Sequence, residues 1–271
     1  MREAAIVVRV SNWTAFTSLV HRFTGPGTRD DYAFRGLESA AWSLTPKLHR
    51  SSTDGGRLPL PSAADLLEIE KFATDQFRAA APIELPAAVL ASTRATIGWW
   101  TVMQHYGVPT RLLDWTSSPY VAAYFACRAL PGVDGALYFF HAPSLFASMS
   151  ALYGAAAEIP KTEVACQAAL CVPDSPPVIH VVARQSGLPN RMLSQQGLFT
   201  LCSNVGADPH SVLIEALSGA TKEQAMGKIV IPAAQKPLFM RFFRTMNVTA
   251  ASLFPGLDGI GRAIDEVVRS R

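Results

Sequence analysis

The sequence predicts an α+β fold: a single domain, residues 1–271, with a mixed or split β-sheet packed with helices. Three observations carry that prediction. Segments of strand and of helix character follow one another without the regular alternation a parallel doubly wound sheet imposes. No internal repeat of about 20–50 residues is present, and the breaker-rich stretches 24–28, 51–61 and 171–177 have the length of loops, not of domain linkers. Apolar residues make up 49% of the chain and charged residues only 17%, with a mean hydropathy of +0.18, which suits a large core and argues against disorder.

In chain order, Tyr32 to Gly36 is a strand-like apolar run. Ser62, with Asp65 three residues on, is a cap that opens a helix over Ala63–Ala80, where Leu66, Leu67, Ile69, Phe72 and Phe77 supply an apolar stripe. A second helix is expected over Ser92–Tyr106, ended by Gly107 at positive φ, with Pro109 fixing the exit direction. Ser118 before Pro119 caps a third helix running to Arg128, whose Val121, Ala122, Tyr124 and Phe125 predict burial. Strands are expected at Gly135–His141, Pro177–Ala183, Leu198–Ser203 and Lys228–Pro232, each rich in β-branched or aromatic residues and bounded by breakers. Residues 142–157 suit a packed helix. Gln235–Met246 and Gly259–Ser270 are the closing helices.

Lys and Arg number 24 and Asp and Glu 21, a net +3 that gives no reason to expect non-specific nucleic-acid binding. The four cysteines, Cys127, Cys166, Cys171 and Cys202, contain one close pair and no spaced histidine couple, so buried free thiols are expected and no metal. No apolar run is long enough to span a bilayer or serve as a secretory core, which predicts no membrane association and a cytoplasmic location. Phosphate-loop, dinucleotide-fold, zincin and serine-hydrolase signatures are absent.

Three segments have the composition of a site. Gln104 to Pro119 sets His105, Tyr106, Thr110, Arg111, Asp114, Trp115 and Thr116 between two apolar helices, combining anion binding, a titratable group and neutral hydrogen bonding. Its structural alternative is an Arg111–Asp114 pair that satisfies a buried turn, with Trp115 in the core. Arg35, between Phe34 and Gly36, stands where backbone can approach a ligand and a guanidinium can reach phosphate or ribose. Arg191 to Thr200 brings Gln195 and Gln196 ahead of a strand; amides position ligands but do not act as general bases.

In this order the segments resemble the FRG family, named for a Phe/Tyr-Arg-Gly motif that here is Phe34-Arg35-Gly36. The resemblance takes in Leu44-Thr-Pro46 with Arg50, a helix around Glu70, Gln104–Pro119 running into Val121–Ala126, Arg191 with Gln195–Phe199, residues 229–232 and residues 253–259, about residues 30–265 in all. It implies a protein of bacterial or phage type in a toxin or phage-defence setting. A weaker likeness is to ADP-ribosyltransferases, implying an ADP-ribosyltransferase-like fold: Arg35, then Asp114 to Ser117 ahead of a helix, then Gln195-Gln196 map on in order. The late glutamate of that family is missing, so Asp114, Glu215 or another carboxylate has to supply its charge.

The expectation is an NAD- or nucleotide-binding domain that transfers ADP-ribose, with NAD as substrate. Arg35, His105, Asp114 and Gln196 are the expected catalytic groups, and Arg35, Tyr106, Thr110, Arg111, Trp115, Thr116 and Gln195 the expected ligand contacts. The alternative is a non-catalytic domain that senses a nucleotide or a protein; a third, lesser reading is action on nucleic acid.

Overall fold

The computed structural model describes residues 6–23, 31–93, 95–183, 194–220 and 225–269. Arg191 and the 24–28 turn lie outside them. The described strands form one seven-stranded mixed sheet in the order β1-β7-β4-β2-β3-β6-β5. In chain order these are β1 (Val7–Arg9), β2 (Tyr32–Leu37), β3 (Leu113–Thr116), β4 (Gly135–His141), β5 (Ile179–Val182), β6 (Gly197–Cys202) and β7 (Met226–Ile231). Only β1 and β7 pair in parallel.

The helices are α1 (Trp13–Val20), α2 (Lys47–Ser52), α3 (Ala63–Ala80), α4 (Ala87–Ser92), α5 (Thr96–His105), α6 (Pro119–Cys127), α7 (Ala142–Tyr153), α8 (Glu163–Leu170), α9 (Pro209–Ser218), α10 (Lys236–Thr245), α11 (Ala250–Leu253) and α12 (Leu257–Arg269). Helix α3 has the bounds its cap predicts, with Ser62 and Asp65 closing a reciprocal capping box. The expected second helix starts later than Ser92, which instead ends the separate α4: α5 begins at Thr96, whose N–H and hydroxyl both donate to Glu163. Gly107 has φ of 81° where the α5 turn reverses.

One face of the sheet packs Phe34, Leu137, Phe139 and Ile229 against Phe16 of α1, α6, and Phe239 and Phe243 of α10. The other buries Leu113, Trp115, Tyr138 and Phe140 under Leu145 of α7 and Leu213 of α9. A third cluster gathers Trp100, Leu112, Phe199 and Leu201 around α5 and α8. The four cysteines are free, Cys171 half-buried and the rest buried, and burial pushes the Cys127 and Cys202 thiols up to about 12. No described helix is long and apolar enough to cross a membrane.

Helix α6 lies against the strands at backbone distance, which explains its run of alanines. A Cβ built on Gly36 would stand 2.9 Å from the Ala126 nitrogen and closer still to the Ala122 carbonyl. The side of Gly36 on which a Cβ would stand is therefore taken up by α6, while the residue also lines a hollow beside Arg35. Gly36→Ala is expected to push α6 off the sheet at a cost of about 1–3 kcal/mol or more, measurable by urea denaturation. An unchanged midpoint would mean that helix and strand are not in this contact.

Candidate functional site

The sheet is splayed between β2 and β3. Strand β2 pairs with β4 along its whole length, from Tyr32↔His141 to Leu37↔Ala136. With β3 it shares a single register pair, Phe34↔Thr116. Beyond that pair a side chain spans the opening: Arg35 Nη1 donates to the Asp114 backbone carbonyl at 2.6 Å and lies 3.5 Å from the Asp114 carboxylate. A hollow of about 470 Å³ opens there, within the size range of small-molecule sites. Its walls come from β2 and β3, from Trp42 to Arg50, from the end of α5, from Val121, Phe125 and Arg128 on or just after α6, and from Gln195.

The Arg35 side chain is only 13% exposed. Burial lowers the pKa of its guanidinium; the Asp114 carboxylate works against that, and the charge of Arg50 adds to it. Its Nε is buried without a hydrogen-bond partner among the described residues, a deficit that a ligand acceptor would relieve. Asp114 is oriented by a chain of hydrogen bonds. The Leu112 N–H donates to the Thr110 hydroxyl at 3.2 Å, that hydroxyl donates to Gln104 Oε1 at 2.6 Å, and Gln104 Nε2 donates to Asp114 Oδ2 at 2.8 Å. Its carboxylate is nonetheless 58% exposed, open to the hollow. Lys47 donates to the Gly107 carbonyl, and Arg128 pairs with Glu38 at 3.1 Å while lying over the Phe125 ring.

Arg35, Asp114, Trp115, Thr116 and Gln195 all line the hollow. The Trp115 ring, however, lies in the core: its Nε1 donates to Thr200 at 2.8 Å and it meets Phe140 edge-on, so it presents no face for stacking. The Thr116 hydroxyl accepts from the Ser118 N–H, and Gln195 Nε2 donates to the Leu253 carbonyl. Thr110 is fully buried behind Gln104. His105 and Tyr106 are not among the lining residues; Tyr106 is exposed, its ring near Phe77 and His105. Gln196 sits on the turn into β6 at φ of 49°, where its Oε1 accepts from the Ser117 hydroxyl at 3.2 Å outside the hollow. Glu215 is exposed on α9 and is also not a lining residue.

Arg111 corrects the expectation most sharply. It is 2% exposed and gives Nε to both Glu70 oxygens at 3.0 Å and Nη1 to the Leu170 and Ser203 carbonyls, with its guanidinium over the Trp100 ring at 4.8 Å. Its donors are spent inside the protein, and Asp114 is paired by Arg35 instead. Glu38 and Arg128 also line the hollow and lie outside the candidate segments of the sequence, whereas Gln104 belongs to the first of them and Trp42, Lys47 and Arg50 follow Arg35 in the stretch that resembles the FRG family. The available signal was Lys47 and Arg50 three apart just after Pro46, which puts both cations on one face of a short helix.

No curated protein and no solved structure matches the chain, so the likeness to ADP-ribosyltransferases rests on residue order alone. Residues 30–132 match the family described as FRG domain. That span contains every residue lining the hollow except Gln195. The walls of the hollow are thus built almost entirely by the span that matches the FRG domain, residues 30–132.

Proposed function

We propose that the FRG domain binds a nucleotide, with NAD as the leading ligand, in the hollow between β2 and β3. One observation carries this reading. Residues far apart in sequence, Arg35 with its unpartnered buried Nε and Asp114 with its exposed carboxylate, face one cavity of ligand size. A guanidinium suits phosphate, a carboxylate suits ribose hydroxyls, and the half-exposed Trp42 ring suits a base.

Transfer of ADP-ribose is the chemistry this reading favours. As the bond from ribose C1′ to nicotinamide breaks, positive charge develops on the sugar, and a carboxylate held beside it lowers the barrier. Asp114, oriented by Gln104, fills that role, while His105 and Gln196 drop out of the chemistry because they stand off the hollow. Consumption of NAD suits a toxin or phage-defence setting. The second reading, a sensor that leaves its ligand intact, is favoured by the amide of Gln195 where the transferases carry a late carboxylate.

Calorimetry with NAD, followed by chromatography of the ligand with and without cell lysate, tests both. Stoichiometric binding with release of nicotinamide and labelling of a lysate component supports transfer. Binding with NAD recovered intact supports the sensor. No heat of binding at millimolar NAD sinks the nucleotide reading.

A further inference from the structure

The charges on the walls of the hollow are unbalanced in one direction. Among the described residues, Arg35, Lys47, Arg50 and Arg128 face it against two carboxylates, Glu38 and Asp114, which leaves two positive charges in excess. The pairs are unevenly shared. Arg128 is matched by Glu38 at 3.1 Å, and Arg35 is loosely matched by Asp114 at 3.5 Å. Lys47 donates only to a neutral carbonyl, and Arg50, exposed on α2, makes no ion pair among the described residues. Arg50 also lies close enough to Arg35 for its charge to disfavour the charged Arg35 guanidinium. Cations on the wall of one hollow, beside a buried N–H with no partner among the described residues, favour an anion there.

From this arrangement we infer that the Arg35, Lys47 and Arg50 wall is a diphosphate subsite, and that the domain selects ligands in which a diphosphate joins two organic groups, such as dinucleotides and nucleotide sugars. The inference rests on the nucleotide reading and narrows it. A doubly esterified diphosphate spreads its two negative charges over two phosphorus centres and can meet two cations at once, whereas a monophosphate, though it carries close to two charges at neutral pH, concentrates them on one. The linked groups then extend to either side, one toward the half-exposed Trp42 ring and the other toward Asp114.

The test is calorimetry with ADP-ribose, AMP, adenosine and inorganic pyrophosphate on the wild-type protein, Arg50→Ala and Arg50→Lys, with thermal melts to establish that the variants fold. The Arg50 side chain makes no described hydrogen bond, and its backbone bonds to Pro46 and Thr53 survive truncation, so the melt is expected to stay unchanged. The expected result is that ADP-ribose binds at least tenfold more tightly than AMP, that Arg50→Ala removes most of this preference, and that Arg50→Lys restores part of it. Equal affinity for AMP and ADP-ribose, or wild-type affinity for ADP-ribose in folded Arg50→Ala, overturns the inference while leaving the nucleotide reading standing. Pyrophosphate binding that Arg50→Ala abolishes, with no binding of ADP-ribose or adenosine, overturns the nucleotide reading and with it the selection of doubly esterified diphosphates, leaving a site for free anions. Binding of none of the four probes overturns both.

Discussion

Arg111→Ala is expected to destabilise the protein by about 3–5 kcal/mol, because removing one partner of a buried ion pair strands the other. Glu70 is 2% exposed, and Arg111 supplies both of its oxygens with donors while also holding the Leu170 and Ser203 carbonyls. Against a typical domain stability of about 5–15 kcal/mol, that loss is about a fifth of the whole or more. Replacing both partners together, Arg111→Met with Glu70→Leu, is expected to recover much of it, because two apolar side chains leave no buried charge. Urea denaturation of the single and double variants measures the difference. A single variant within about 0.5 kcal/mol of wild type would contradict the buried pair and return Arg111 to the list of ligand contacts.

Arg35→Ala is expected to do the reverse, losing ligand and keeping the fold. Truncating a hydrogen-bonded charge at a binding surface costs about 2–5 kcal/mol, so NAD affinity is expected to fall by roughly 30-fold or more. The stability cost is smaller, about 1 kcal/mol, for the one bond to the Asp114 carbonyl. Arg35→Lys is expected to restore charge but not reach, since a single ammonium cannot hold the Asp114 carbonyl and a phosphate in the two directions a guanidinium serves. Calorimetry beside a melt separates the outcomes. A folded Arg35→Ala protein that binds NAD like wild type would remove Arg35 from the site.

How much of this was legible in the sequence depended on whether the deciding interaction was local. Helix α3 could be read because Ser62 and Asp65 are three residues apart and cap it by themselves. Strand β4 could be read because all seven of its residues are buried, giving a continuous apolar run bounded by Gly135. Strand β3 was hidden inside a polar loop, since it is four residues long and its Asp114 faces the opening instead of a core. The partner of Arg111 is Glu70, 41 residues earlier on α3, and that of Arg35 is Asp114, 79 residues later, so no spacing rule connects either pair. The choice between Gln195 and Gln196 turned on one positive φ, which swings Gln196 to Ser117 and leaves Gln195 to the hollow. In Phe34-Arg35-Gly36 the motif itself divides by role: Phe34 fills the core, Arg35 spans the splayed strands and Gly36 admits α6.

The most direct measurement is a crystal structure of the protein with NAD. The account predicts density for the dinucleotide between β2 and β3, with its diphosphate on Arg35 and Arg50 and a ribose against Asp114. A hollow that stays empty while NAD occupies another surface, such as the apolar cleft between α7 and β5, would contradict it.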